Sequence, residues 1–64
     1  MKVYQIIRAN GEWLYVQPGI GSLYWFKDQG SGTEFSFDIA TVWRHTLGAD
    51  SHSIVSQDRK DFRR

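Results

Sequence analysis

The pattern of apolar and polar positions is clearest from Val3 to Gln17, where two apolar runs flank Asn10 and Gly11. An Asn-Gly pair between such runs predicts a β-hairpin with a two-residue type I′ turn, which needs positive φ at both central residues. The turn sets the register of the two strands. Counting outward pairs Ala9 with Glu12, Arg8 with Trp13, Ile7 with Leu14, Ile6 with Tyr15, Gln5 with Val16 and Tyr4 with Gln17.

This register predicts two different hairpin surfaces, because side chains alternate between the faces of a strand. One surface is aliphatic and carries Val3, Ile7, Leu14 and Val16. The other is mainly aromatic and carries Tyr4, Ile6, Arg8, Trp13 and Tyr15. On the second surface the Arg8 guanidinium lies opposite Trp13, where it is expected to stack on the indole ring.

A third strand is predicted at residues 23–27, after a loop rich in proline and glycine. This strand is apolar on both faces, so its orientation stays open. Either Leu23 and Trp25 or Tyr24 and Phe26 point to the core, and the other two large side chains then lie on the opposite face.

Two further strands complete the pattern. Residues 33–37 alternate between apolar and polar, which predicts a fourth strand that is half buried through Phe35 and Phe37. Residues 53–56 are a candidate for a short edge strand near the C-terminus.

One helix is predicted between the fourth strand and the edge strand. Asp38 is a favourable N-cap residue and Gly48 a favourable C-terminal residue. Between them an apolar stripe at helical spacing consists of Ile39, Val42, Trp43 and Leu47. The stripe is expected to pack on the aliphatic surface of the hairpin, which makes Trp43 a core residue.

The elements together predict an α+β fold: an antiparallel meander of three or four strands with one α-helix on one face. With 64 residues, the chain has room for one domain, predicted at 1–57, and a basic, flexible tail at 58–64. Without cysteine, packing must stabilise the domain, and three Trp, three Tyr and four Phe supply large apolar surfaces. No apolar run reaches the roughly 18 residues of a membrane span, so we expect a soluble, cytoplasmic protein.

The charge is nearly balanced overall but uneven along the chain. Residues 1–57 carry four basic and five acidic side chains, whereas residues 58–64 carry four basic and two acidic ones. The four basic tail residues are Arg59, Lys60, Arg63 and Arg64. They suit either an arm that binds nucleic acid or an ordinary solvated terminus, and two acids among them weaken the first interpretation.

Motifs for catalysis or metal binding are absent from the sequence. Acid, hydroxyl and imidazole groups do adjoin in the segment from Asp50 to Ser53, but neighbouring residues of an extended segment point to opposite faces. His45 and His52 fit no known metal-ligand spacing. We therefore predict no enzymatic activity, no metal site and no cofactor.

The aromatic surface is the strongest candidate for function. Its predicted members are Tyr4, Arg8, Trp13, Tyr15 and Tyr24. Such side chains are typical of protein interfaces, so we expect a small protein that docks on a larger protein or protein complex, for example as a phage or mobile-element inhibitor or accessory factor. One alternative is that the aromatic surface stacks on nucleic-acid bases, with help from the basic tail. The other two are that the protein is a homodimer rather than a monomer and buries this surface against its second copy, or that the aromatic side chains form a second small core within the fold.

Overall fold

The fold is a four-stranded antiparallel sheet with one helix on one face. The structure, a computed structural model, describes residues 1–58. Its elements are β1 (Lys2–Arg8), β2 (Trp13–Val16), β3 (Leu23–Phe26), a 3-10 turn (Gln29–Ser31), α1 (Phe37–Leu47) and β4 (His52–Asp58). The sheet order is β3-β2-β1-β4, and α1 packs against β1 and β4. The predicted α+β class is confirmed, including the strand near the C-terminus.

The hairpin between β1 and β2 has a different turn from the predicted one. Among the described residues only glycines have positive φ, so Gly11 has a φ of +88° and Asn10 does not share it. The Gly11 amide donates to the Arg8 carbonyl oxygen and the Arg8 amide to that of Glu12, both at 2.9 Å. The loop therefore has three residues and ends in a left-handed glycine. The Asn10 side chain stabilises this turn by accepting a hydrogen bond from the Glu12 amide at 3.1 Å.

The extra loop residue shifts the register by one. Ile7, not Arg8, is paired with Trp13. A shift of one residue exchanges the faces of one strand relative to the other. The helix consequently packs on the face that carries Ile6 and Leu14, both fully buried, and the predicted aliphatic surface with Val3 and Ile7 does not exist as such.

The core lies between this face and α1. Its buried members are Ile6, Leu14, Phe35 and Ala40, with Tyr4, Val16, Trp25, Trp43, Leu47 and Ile54 packed around them. The position of Trp25 resolves the open orientation of the third strand. Trp25 points towards the helix side, so its neighbours Tyr24 and Phe26 point away from it.

Residues 33–37 do not form the predicted fourth strand. Residues 33–35 lie instead between β1 and β2. Thr33 donates from its amide to Leu14 O at 2.9 Å, and its hydroxyl accepts from the Val16 amide at 2.8 Å. On the other side, Tyr4 and Phe35 exchange two backbone hydrogen bonds at 2.9 and 2.7 Å. Together these bonds bridge the separating ends of β1 and β2. Phe35 is buried as predicted.

The helix begins earlier than predicted. Ser36, not Asp38, is the N-cap, and its hydroxyl accepts a hydrogen bond from the Ile39 amide at 3.4 Å. Phe37 is therefore the first helical residue and is 55% exposed, which corrects its predicted burial in a strand. Gly48 ends the helix as predicted, with a φ of +116°.

The buried face of α1 is rotated from the predicted stripe. Trp43 and Leu47 pack on the core, as expected, and Ala40 is fully buried beside them. Ile39 and Val42, in contrast, are 49% and 61% exposed. Residues 40, 43 and 47 form one stripe at spacings of three and four, and the small Ala40 lets the helix approach the sheet closely.

The loop at residues 28–32 covers the other face of β1. Gln5 is only 2% exposed there. Its Nε2 donates to the carbonyl oxygens of Gln29 at 2.8 Å and Gly32 at 3.3 Å, and its Oε1 accepts from the side chains of Gln29 and Gln57. The buried amide is thus fully hydrogen-bonded, which anchors the loop to the sheet.

The strand β4 is longer than the predicted edge strand and pairs with the whole of β1. The register runs from Lys2 opposite Asp58 to Arg8 opposite His52. The remainder of the predicted tail, with Arg59, Lys60, Arg63 and Arg64, lies outside the described residues. Within residues 1–58, α1 is too short and too polar to cross a membrane.

Candidate functional site

Four aromatic side chains share the face of β2 and β3 that points away from the helix. Trp13 is paired with Phe26, and Tyr15 with Tyr24. Paired residues of antiparallel strands lie on the same face. The Tyr15 ring is in the middle, with its centroid 6.3 Å from that of Tyr24 and 5.9 Å from that of Phe26. We call Trp13, Tyr15, Tyr24 and Phe26 the aromatic surface.

The aromatic surface is open to solvent on its β3 side. Tyr24 is 46% and Phe26 41% exposed, whereas Trp13 and Tyr15 are half-buried. On the β2 side the 28–32 loop borders the surface, with Gly32 close to the Cβ atom of Trp13. Pairs of rings at these distances hold each other in place. The result is a group of large side chains in mutual contact, of which Tyr24 and Phe26 are exposed.

Only part of the predicted site is brought together. Trp13, Tyr15 and Tyr24 share the aromatic surface, but Tyr4 lies on the helix side of the sheet and packs against the core. There its ring meets that of Phe37 edge to face, with centroids 5.3 Å apart. Tyr4 was assigned to the aromatic surface on the basis of the predicted two-residue turn, and the shifted register removes it.

Arg8 is likewise on the helix side and does not stack on Trp13. Its guanidinium carbon lies 4.2 Å from the centre of a Trp25 ring, and the Arg8 side chain forms an ion pair with Glu12, with Nε 2.9 Å from Oε1. The hydrogen bond from Arg8, helped by one from Asn10, lowers the pKa of the Glu12 carboxyl. The predicted stacking of Arg8 on Trp13 is therefore wrong, and Arg8 lies over Trp25 instead.

Phe26 is a member of the aromatic surface that the predicted site omits. The signal for it was present in the alternation of the third strand, since any arrangement that places Tyr24 on one face places Phe26 there too. Pairing with Trp13 gives Phe26 its position next to Tyr15.

The hydroxyl and imidazole groups of Ser51 and His52 do meet, in a geometry that does not suit general-base catalysis. Ser51 Oγ is 3.0 Å from His52 Nδ1, but the same nitrogen is 2.9 Å from the Gly48 carbonyl oxygen. A carbonyl oxygen only accepts, so Nδ1 carries a hydrogen and cannot take the serine proton. Among residues 1–58 there is also no cluster of three or more side chains suited to hold a metal.

Comparison with known proteins adds no relative. No family model, no curated protein and no solved structure matches the chain. The functional argument therefore rests on the geometry of the aromatic surface.

Proposed function

We propose that this protein is a non-enzymatic binding protein that docks on a larger protein through the aromatic surface. The supporting observation is that four aromatic side chains share one sheet face, with Tyr24 and Phe26 both more than 40% exposed. Tyrosine and tryptophan are enriched at the energetic centres of interfaces because they bury large areas with few rotamers. The tyrosine hydroxyls supply hydrogen bonds at the edge of such a contact. A narrower form of the proposal is an inhibitor or accessory factor that occupies the surface of a larger machine.

The charge of residues 1–58 favours a protein partner over nucleic acid, and the formal net charge of all 64 residues is only +1. Residues 1–58 contain four basic and six acidic side chains. Two of the four basic side chains, Arg8 and Arg44, lie on the helix side of the sheet, away from the aromatic surface. Stacking of bases is most effective when cations follow the nucleic-acid backbone. We therefore expect no binding to single-stranded or duplex nucleic acid at low salt, where such binding is strongest.

The proposal is tested with two matched double variants. Tyr24→Thr with Phe26→Thr removes the exposed rings from the aromatic surface, while threonine keeps the strand propensity of β3. Ile39→Gln with Val42→Gln removes comparable exposed apolar area from the helix. Circular dichroism should show that both variants fold.

The readout is capture of a defined partner from a lysate of the source cells, followed by purification of that partner and a binding assay. The wild type and the helix variant should retain it, and the aromatic-surface variant should not. Loss of binding in the helix variant alone would contradict the proposal. Light scattering that shows a dimer of the wild type and a monomer of the aromatic-surface variant would also contradict it, since a second copy would then occupy the surface.

A further inference from the structure

The two edge strands of the sheet are β3 and β4, and the β4 edge borders a groove. β4 is the last strand in the sheet order, so no described strand pairs with its outer side. Its seven residues, HSIVSQD, contain no lysine or proline, and the charged Asp58 is at the C-terminal end of the strand. Lysine and proline are among the features that commonly protect an edge strand from pairing with another chain. The edge is therefore a regular template for one more strand, except at the His52 carbonyl oxygen, which already accepts a hydrogen bond from Arg44 Nε.

The outward-facing backbone groups of β4 follow from its pairing with β1. The Ala9 amide donates to Ser51 O at 3.0 Å, and inward and outward groups alternate along an antiparallel strand. Counting from that bond, Ser53 and Val55 bond to β1, whereas the backbone groups of Ile54 and Ser56 point outward. The side chains of Ile54 and Ser56 are on the helix side, because they pair with Ile6 and Tyr4.

A groove of about 470 Å³ lies between this edge and α1. Tyr4, Phe37 and Ile54 provide its apolar lining, and Thr41, Arg44 and Ser56 its polar lining. Phe37 packs on Tyr4, which is paired with Ser56, so the apolar end of the groove is near Ser56. Arg44 Nε donates to His52 O at 3.0 Å, so the cationic end is near His52.

We propose that this groove binds an extended, acidic peptide segment of a partner protein, which adds to β4 as a fifth antiparallel strand. In this mode the backbone bonds of the edge strand give affinity and the side-chain pockets give specificity. The site lies on a different surface from the aromatic surface, so the proposal goes beyond the docking function and does not depend on it.

The spacing of the groove defines the peptide. His52 and Ser56 are four residues apart, about 13 Å along the strand. A peptide residue opposite Ser56 would place an apolar side chain on Phe37 and Tyr4. A residue four positions later would place a carboxylate at Arg44, whose terminal nitrogens make no ion pair with any residue from 1 to 58. The peptide residue midway between these two lies opposite Ile54. Its backbone would bond to the outward-facing backbone groups of Ile54.

The experiment titrates the isotope-labelled protein with the acetylated and amidated peptide Phe-Thr-Val-Thr-Glu and records amide shifts by NMR. We expect shifts at the Ile54 and Ser56 amides. N-methylation of the valine amide, which faces β4, should abolish binding. N-methylation of the amide of the threonine that follows the valine, which faces away from β4, should preserve binding. This pair of peptides tests strand addition without changing the protein.

A variant and a control peptide test the charge. Arg44→Gln, and replacement of the peptide glutamate by lysine, should each weaken binding about tenfold, as loss of a charge-assisted hydrogen bond does. The variant with Tyr24→Thr and Phe26→Thr should bind the peptide like the wild type. Absence of β4 shifts at millimolar peptide, or equal affinity of the two N-methylated peptides, would overturn the proposal. Unchanged affinity in Arg44→Gln would overturn its requirement for an acidic residue.

Discussion

The close packing of the 28–32 loop on Gln5 can be tested by adding one methyl group at Gly32. Gly32 has a φ of −74° and a ψ of 147°, which alanine adopts without strain. The effect of Gly32→Ala is therefore steric. A Cβ atom there would lie 2.9 Å from Gln5 Nε2, 3.2 Å from the Trp13 Cβ atom and 3.4 Å from the Gln29 carbonyl oxygen.

Gln5 and Trp13 are both held in place. Gln5 is 2% exposed and its Nε2 donates hydrogen bonds to two carbonyl oxygens. The Trp13 Cβ atom is bonded directly to the backbone of β2. Overpacking of this kind costs about 1–3 kcal/mol. The lower entropy of the unfolded alanine chain offsets about 0.4–1 kcal/mol. We therefore expect Gly32→Ala to lower the free energy of unfolding by about 1–2 kcal/mol.

Gly30→Ala is the matched control in the same loop. Its new Cβ would meet only the exposed carboxylate of Asp28, at 3.3 Å, and that side chain can rotate away. Urea unfolding followed by tryptophan fluorescence measures both variants, and a loss of 1 kcal/mol corresponds to a Tm about 4–8 °C lower in a domain of this size. Equal stability of the two variants would refute the close packing of the loop on Gln5 and Trp13.

Three further changes test the core, the turn and the helix start. Leu14→Ala should cost about 2–5 kcal/mol in urea unfolding because Leu14 is fully buried, whereas Leu23→Ala, at a residue 37% exposed on the same face, should cost less than about 1 kcal/mol; similar losses would contradict the burial of Leu14 beneath the helix. Because the pKa of Glu12 is lowered, its ion pair with Arg8 stabilises the fold above the ordinary carboxyl pKa of 4.5 and is lost as the pH falls through the lower folded-state pKa. The stability difference between wild type and Glu12→Gln should therefore shrink in acid, and a constant difference from pH 7 to pH 3, values chosen around that pKa, would contradict the ion pair. Ser36→Ala should cost about 1 kcal/mol by thermal unfolding through loss of the N-cap hydrogen bond, and no loss would argue that the helix starts elsewhere.

The α+β class, the helix and the first three strands were predictable because their signals are local. Gly48 ended the helix as expected, with a positive φ, and Trp43 and Leu47 packed on the core. The sequence does not distinguish Ser36 from Asp38 as the N-cap, since both side chains are good caps. In the structure Ser36 caps the helix.

The register of the hairpin was not predictable from Asn10 and Gly11 alone. The same pair serves a two-residue turn or a three-residue loop with glycine in the left-handed position. Contacts of Glu12 with Arg8 and Asn10 favour the second. Because one residue of shift exchanges the faces, this single local choice moved Tyr4 and Arg8 out of the predicted site.

The pairing of β1 with β4 and the position of residues 33–35 depend on contacts between distant parts of the chain. Alternation at 33–37 correctly indicated that Phe35 is buried, but it wrongly placed Phe37 in a strand and carried no information on where the segment would bond. The aromatic surface nevertheless retained Trp13, Tyr15 and Tyr24, because β3 pairs with β2 as neighbours in sequence.

The central claim is that the aromatic surface binds the partner. Its most direct test is isothermal titration calorimetry of the purified partner against wild type, Tyr24→Ala and Val42→Ala, since both side chains are exposed and only Tyr24 belongs to the surface. An interface hot spot contributes about 2 kcal/mol or more, so Tyr24→Ala should raise Kd about thirtyfold while Val42→Ala leaves it unchanged. A Kd for Tyr24→Ala equal to that of the wild type would contradict the account.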